Sequence, residues 1–200
     1  KIHERDDDKE IDSVVIHATD TFSNKNIGAE EIDAIQKKLD GTGYAQENRR
    51  VKIGYHYVIR RDGRLQRGRD ISKPSETSLD NRGRDDSCLS IVMVGGINSP
   101  ATEQQFQRSS ASFTREQYNT LEHFLKSFYN HVPGGDVYGH NDLNTDEEDP
   151  YFDVQEYILS LFGKVNREFF TVPEAEPAPI LDPARIREDD TIDPTGQVQG

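Results

Sequence analysis

The 200-residue chain contains one cysteine, one methionine and no tryptophan, and only 32% of its residues are apolar. A single cysteine excludes an intramolecular disulfide and any zinc site built from several cysteines. Cys88 begins an apolar run that extends to Val94, which predicts a buried, unreactive thiol rather than a nucleophile. No apolar stretch approaches the roughly 20 residues that cross a bilayer, and no signal-peptide pattern is present.

Positive charge is also scarce, since 24 lysines and arginines stand against 37 aspartates and glutamates. The resulting formal net charge of −13 argues against nucleic acid as a partner, because phosphate binding needs a basic surface.

Composition divides the chain into three parts. Residues 1–10 form a charged run without periodicity, which predicts an arm. Residues 11–165 are rich enough in apolar residues to bury one core, which predicts one domain. Residues 166–200 hold five of the nine prolines together with eight acidic residues. Such a tail cannot bury a core of its own, so we expect it to be extended or to lie against a partner protein.

Alternating strand and helix patterns in the middle part predict an α/β fold. The expected strands cover residues 11–18, 53–59, 65–70, 89–94 and 136–139. The expected helices cover residues 28–40, with Ile32 and Ile35 on the apolar stripe, and 154–162, with Leu161 inward. Between them, Thr114 and Gln117 form a capping box that opens a long helix through residue 131. The run 89–94 is the most apolar in the chain and predicts the centre of the sheet.

Three residues stand out as candidate metal ligands. His17 ends the first apolar strand, while His140 and Asp149 lie close together after the short strand 136–139. Two imidazoles and one carboxylate suit a zinc ion whose fourth position is left open for water. Taken alone, a histidine that ends an apolar run is more often a satisfied core residue or a support for a ligand than a ligand itself, and this alternative stays open for His17.

Five motifs appear in a fixed order along residues 11–163: VVIHAT, GYHYVIRRDGRLQRGRD, SIVMVGG, GHNDLN and DPYFDV. Together they resemble the type 2 family of N-acetylmuramoyl-L-alanine amidases, which includes phage lysozyme-type amidases and animal peptidoglycan recognition proteins. The fold that this resemblance implies is a mixed sheet of about five or six strands with helices on both faces, as the α/β pattern also predicts.

The resemblance also implies roles for individual residues. His17 and His140 match the two zinc-binding histidines, and Asp149 stands at the third ligand, where members of the family have cysteine or aspartate. Tyr55 matches a tyrosine that lies beside the water on the zinc in phage-type members. The implied activity is zinc-dependent hydrolysis of the amide bond between N-acetylmuramic acid and L-alanine in bacterial peptidoglycan.

The residues around His140 and Asp149 leave several alternatives open. Many members of the family have a lysine where this chain has Glu147, which is therefore either a general acid or base or only a solvated charge. Asn141 and Asp142 are candidates for orienting His140, although Asp142 is equally well explained as a carboxylate that caps a helix or loop.

Two hypotheses of function follow from the resemblance. The first is a phage lysin, either free or carried by a virion or another protein assembly that contacts the tail. Its expected location is the virion, or the host cytoplasm before release to the cell wall. The second is a peptidoglycan-binding module with the same fold and no catalysis. Such modules generally lack the third zinc ligand, so the carboxylate of Asp149 favours the enzyme.

Overall fold

A computed structural model describes residues 10–40, 53–77, 87–98 and 109–166, together with the short segments 191–192 and 198–199. The chain forms two compact units, Lys1–Asn166 and Arg167–Gly200. The predicted arm lies outside the described residues except for Glu10, and most of the predicted tail lies outside them as well. None of the described helices is long and apolar enough to cross a membrane.

The first unit is built on one five-stranded sheet and a separate two-stranded sheet. In chain order the strands are β1 (Ser13–Ala18), β2 (Thr21–Phe22), β3 (Tyr57–Ile59), β4 (Leu65–Arg67), β5 (Cys88–Met93), β6 (Gly96–Ile97) and β7 (Asp136–Gly139). The main sheet has the order β4-β3-β5-β1-β7, and β2 pairs with β6. All pairings are parallel except the β3–β4 hairpin, so the sheet is mixed.

Strand β5 occupies the centre of the sheet, as its apolar sequence predicts. All six of its residues are buried, as are all six of β1. Parallel strands covered on both faces read as continuous apolar runs, and this is why both were visible in the sequence. The buried thiol of Cys88 is confirmed.

The described residues form four α-helices beside the sheet: α1 (Ala29–Asp40), α2 (Arg115–His131), α3 (His140–Leu143) and α4 (Val154–Phe162). Leu121 and Leu125 of α2 and Ile158 of α4 pack with Ile16 and Ile91 on one face of the sheet. On the other face, Ile32 of α1 packs against strand residues in a second, smaller cluster. The predicted fold class, a mixed sheet of about five strands with helices on both faces, is confirmed.

The capping box that was predicted for α2 is present at Thr114 and Gln117. Gln117 is nevertheless fully buried, which its polar side chain did not predict. Its Nε2 donates to the carbonyl oxygens of Ile59 (3.1 Å) and Val94 (2.9 Å). Gln117 therefore satisfies buried backbone acceptors at the ends of β3 and β5 and ties α2 to both.

Two helix-face predictions were wrong. Ile35 of α1 is 43% exposed and Leu161 of α4 is 41% exposed. Among the described side chains, α1 buries Ile32, and α4 buries Val154 and Ile158. The expected strands 53–59 and 65–70 are also shorter in the structure, where they span Tyr57–Ile59 and Leu65–Arg67.

The described part of the second unit consists of two short strands. Strand β8 (Thr191–Ile192) pairs in antiparallel fashion with β9 (Val198–Gln199).

Candidate metal centre

Two neighbouring parallel strands bring His17 and His140 together. His17 is the penultimate residue of β1, and His140 directly follows β7. These strands pair in a register that places Ile16 opposite Gly139, so the two histidines leave the same edge of the sheet. Their ring centroids lie 4.8 Å apart, although the two histidines are far apart in the sequence.

A sharp turn at the end of β7 orients His140. The carboxylate of Asp142 accepts hydrogen bonds from the backbone N–H of Gly139 (2.8 Å) and from Nε2 of Gln155 (2.7 Å). Gly139 leaves no room for a side chain, since a Cβ there would lie 3.0 Å from Pro150 and from Val154. Asp142 thus closes the first turn of α3, which is the capping role considered for it, and through that turn it supports His140.

Asp149 is the residue that joins the two strand ends. Its Oδ1 lies 2.8 Å from Nδ1 of His140, and its Oδ2 lies 3.6 Å from Nδ1 of His17. Oδ2 also accepts the backbone N–H of Ala18 at 3.1 Å. The backbone carbonyl of Asp149 accepts the N–H of Asn141 at 2.9 Å. The carboxylate is therefore held from both strands at once.

The charge state of Asp149 follows from these contacts. The residue is only 7% exposed, and this burial by itself opposes ionisation of the carboxyl. Hydrogen bonds from His140 and His17 and the charges of these imidazoles outweigh the effect of burial and hold the pKa of Asp149 well below its usual range. Asp149 is therefore an anion near neutral pH, as a metal ligand must be.

The three side chains fit a small, nitrogen- and oxygen-binding cation. One possible ligand atom from each of His17, His140 and Asp149 lies within 4.8 Å of the others, and this is the one such group found in the described part of the chain. Tetrahedral coordination at 2.0–2.2 Å requires ligand atoms roughly 3.3 Å apart. Small side-chain adjustments would reach that spacing, and two imidazoles with one carboxylate are an appropriate donor set for zinc.

Tyr55 lies beside the candidate ligands. Its ring centroid is 5.2 Å from that of His17, and it packs against the cluster around Ile32 on the same sheet face. The next residue, His56, is fully buried. Its Nδ1 accepts from the N–H of Ser90 (2.9 Å) and its Nε2 donates to the carbonyl of Lys73 (2.9 Å). His56 thus joins neighbouring backbone segments and anchors the strand that follows Tyr55.

Glu147 lies on the surface near this group but not within it. It is exposed and lines a cavity of about 630 Å³ together with Asn141, Asp142, Glu148 and Tyr151, among others. The three candidate ligands are not among the residues described as lining that cavity. This position favours the solvated-charge interpretation of Glu147 over a role in proton transfer.

Other histidines of the described residues are accounted for by local structure. His123 and His131 are exposed on α2, and each Nδ1 lies 2.7 Å from the carbonyl oxygen four residues earlier. Both are therefore ordinary residues of a helix surface.

Comparison with known proteins gives a consistent picture. Residues 7–152 match the model of a family described as N-acetylmuramoyl-L-alanine amidase. The endolysin of Enterobacteria phage K11 is 25% identical over 150 residues, which is 75% of this chain and 87% of that protein. Among solved structures, the amidase LysC from Clostridium intestinale superposes with a TM-score of 0.54 at 23% identity, covering 76% of this chain and 86% of that one. Bumblebee PGRP-SA superposes with a TM-score of 0.52 at 17% identity, covering 76% and 82%.

Proposed function

The chain belongs to the N-acetylmuramoyl-L-alanine amidase family, and from this premise we propose that it is a zinc-dependent amidase. The resemblance predicted from its motifs is confirmed at the level of the family. Family membership and the likeness to phage endolysins support action on peptidoglycan as an amidase or lysin. We infer that the bond cleaved is the amide between the lactyl group of N-acetylmuramic acid and L-alanine.

The observation that carries this proposal is the convergence of His17, His140 and Asp149 at one edge of the sheet. A structural role alone would not require two imidazoles to share one buried carboxylate at a strand end, where loops give access to substrate. In this proposal all three hold the zinc ion, and Asp149 provides the only negative charge among the ligands.

When bound, a zinc ion supplies Lewis acidity, which polarises the scissile carbonyl and lowers the pKa of a water molecule so that hydroxide is available near neutral pH. The protein's part is to hold the ligands still before substrate arrives. The N–H of Ala18 and the backbone contact with Asn141 restrain Asp149, while Asp142 restrains the turn at His140. Such supporting contacts commonly affect metal affinity or activity 10- to 100-fold.

Tyr55 is the proposed hydrogen-bond donor to the substrate. Attack of water on the amide carbon places negative charge on the carbonyl oxygen, and a phenol O–H aimed at that oxygen stabilises the charge. Its position beside His17 supports this role. The proton required by the departing amine of L-alanine comes from the attacking water or from solvent. Glu147, exposed as it is, is not needed for that transfer.

We also propose a biological setting for the enzyme. Similarity to endolysins of several bacteriophages supports a phage-encoded lysin that acts on the bacterial cell wall. Carriage by a virion, with the tail contacting another protein of the assembly, stays a prediction. The alternative of a binding module without catalysis is disfavoured by the anionic third ligand at Asp149.

The test is cleavage of purified peptidoglycan fragments by the full chain, with and without a chelator. Mass spectrometry should show free stem peptides that begin with L-alanine together with glycan that keeps its lactyl groups. Chelation should stop the reaction and added zinc should restore it. Protein that binds the fragments and releases no peptide in the presence of zinc would identify a binding module instead.

A further inference from the structure

Two non-glycine residues of the described chain have positive φ angles, Asp20 (φ 54°) and Tyr151 (φ 72°). They are 131 residues apart in sequence, yet the hydroxyl of Tyr151 donates a hydrogen bond to Oδ1 of Asp20. Asp20 follows Ala18 by two residues, and Tyr151 follows Asp149 by two residues. The contact therefore links the two chain segments that also meet in the hydrogen bond from Ala18 to Asp149.

The ring of Tyr151 is fixed as well as its hydroxyl. It packs on Gly96, the first residue of β6, where an added Cβ would lie only 2.9 Å from Cε2 of the ring and 3.2 Å from Oδ1 of Asp20. Gly96 has a φ of 107°, which residues with a side chain rarely adopt. Because Gly96 has no side chain, the Tyr151 ring and the Asp20 carboxylate can both lie close to its backbone, and the ring packs on the small β2–β6 sheet.

The backbone cost of this arrangement needs compensation. A left-handed conformation is tolerated by aspartate but is unfavourable for tyrosine, and such conformations persist where the surroundings impose them. Here the surroundings are the contact with Asp20, the packing on Gly96 and a turn in which the N–H of Tyr151 donates to the carbonyl of Glu148 (2.9 Å). These contacts all restrain the loop that carries Asp149.

Only Pro150 separates Tyr151 from Asp149, and the ring of a proline fixes its φ angle. We therefore expect a displacement of Tyr151 to displace Asp149 as well. We propose that the Asp20–Tyr151 contact is a positioning device that holds the carboxylate of Asp149 at the strand end where His17 and His140 meet. The inference rests on the proposed metal centre and assigns these two residues to zinc affinity rather than to the chemical step.

Zinc titration of the full chain against a chromophoric chelator tests this role. Tyr151→Phe keeps the ring and removes the hydroxyl, and Asp20→Gly removes the carboxylate at a φ that glycine accepts. Each should weaken zinc binding roughly tenfold, the lower end of the effect of supporting contacts on metal ligands. The double variant should bind zinc about as tightly as the single variants, since both substitutions remove the same contact.

Two further variants separate positioning from general stability. Asp20→Asn keeps an oxygen acceptor and should recover most of the affinity. Tyr118→Phe is the matched control, because its hydroxyl donates to the carbonyl of Ser110 (3.2 Å) at a site with no part in the proposal; it should bind zinc as the wild type does. The absorption spectrum of the cobalt-substituted protein should change in Tyr151→Phe and stay constant in Tyr118→Phe, since it reports the geometry of the ligands.

The outcomes distinguish this inference from the proposed function. Wild-type protein that binds zinc, with Tyr151→Phe binding it equally tightly and with the same cobalt spectrum, would overturn the positioning role alone. The positioning role would also be overturned if Tyr151→Phe lowered only the unfolding free energy of the metal-free protein. Wild-type protein that takes up no zinc would overturn the metal centre and the positioning role together.

Discussion

Substitution of Asp149 separates the role of a metal ligand from the role of a structural contact. Asp149→Asn keeps the shape of the side chain and an oxygen that can accept a hydrogen bond from the N–H of Ala18. In the wild type, the nitrogen of Ala18 lies 3.1 Å from Oδ2 of Asp149. The substitution removes the negative charge. Because loss of a contact that merely supports a ligand already costs 10- to 100-fold in affinity, loss of the anionic ligand itself should weaken zinc binding by at least about 100-fold.

Asp149→Ala goes further and also removes the acceptor. The N–H of Ala18 and Nδ1 of His140 then both lose their contact with this carboxylate. Hydrogen bonds to a charged group contribute about 1.5–3 kcal/mol each. Because the substitution also removes the cost of burying the charge of Asp149, we expect a net loss of about 2–4 kcal/mol in the unfolding free energy of the metal-free protein. Asp149→Asn should lose much less unfolding free energy, although zinc binding is strongly weakened in both variants.

The stability difference between the metal-free wild type and Asp149→Asn should also depend on pH. The folded chain holds the pKa of Asp149 below its usual range, through the imidazoles that outweigh the effect of burial. The ionised carboxylate thus stabilises the fold above the unfolded-state pKa of about 4, and this contribution is lost as the pH falls toward the folded-state pKa. The stability advantage of the metal-free wild type over Asp149→Asn should therefore shrink below about pH 4.

The assays are urea unfolding of the metal-free proteins and metal analysis after gel filtration. Asp149→Asn that keeps one zinc per chain and still releases stem peptides would refute the assignment of Asp149 as a ligand. A stability difference between wild type and Asp149→Asn that grows as the pH falls below about 4 would refute the electrostatic account of the carboxylate.

Three further predictions concern other residues. Tyr55→Phe should lower kcat by roughly 100-fold, as loss of an oxyanion donor does, while zinc content stays unchanged; normal turnover would exclude the proposed hydrogen bond. Glu147→Gln should change kcat/KM by less than about threefold, since a general acid or base would contribute 100-fold or more and this residue is exposed. Gln117→Leu should cost about 2–4 kcal/mol in unfolding free energy, because two buried carbonyls lose their donor; the exposed Lys126→Leu on the same helix serves as the control.

Most of the scaffold could be predicted because its signals are local. The apolar runs of β1 and β5, the capping box at Thr114 and the periodicity of α2 each specify an element from a few neighbouring residues. Strands β2 and β6 escaped prediction, since two residues carry no periodic pattern and Gly96 lies in one of them. No helix was predicted for residues 140–143, because the first turn of α3 depends on Asp142 accepting a hydrogen bond from the N–H of Gly139.

The candidate site could be proposed from the sequence for a different reason. His17, His140 and Asp149 lie within an ordered set of motifs that resembles a known family, and two imidazoles with one carboxylate form a donor set that suits zinc. The contacts that hold them in place gave no comparable signal. Asp20 and Tyr151 read as ordinary loop residues, and Gln117 as one half of a cap. Their roles depend on pairing across 131 and 58 residues, respectively, which only the folded chain makes visible.

The most direct test of the metal centre is anomalous diffraction at the zinc absorption edge from crystals of the zinc-loaded chain. We predict one ion within about 2.0–2.2 Å of a nitrogen of His17, a nitrogen of His140 and an oxygen of Asp149. An ion bound elsewhere, or these three side chains without one at saturating zinc, would contradict the account.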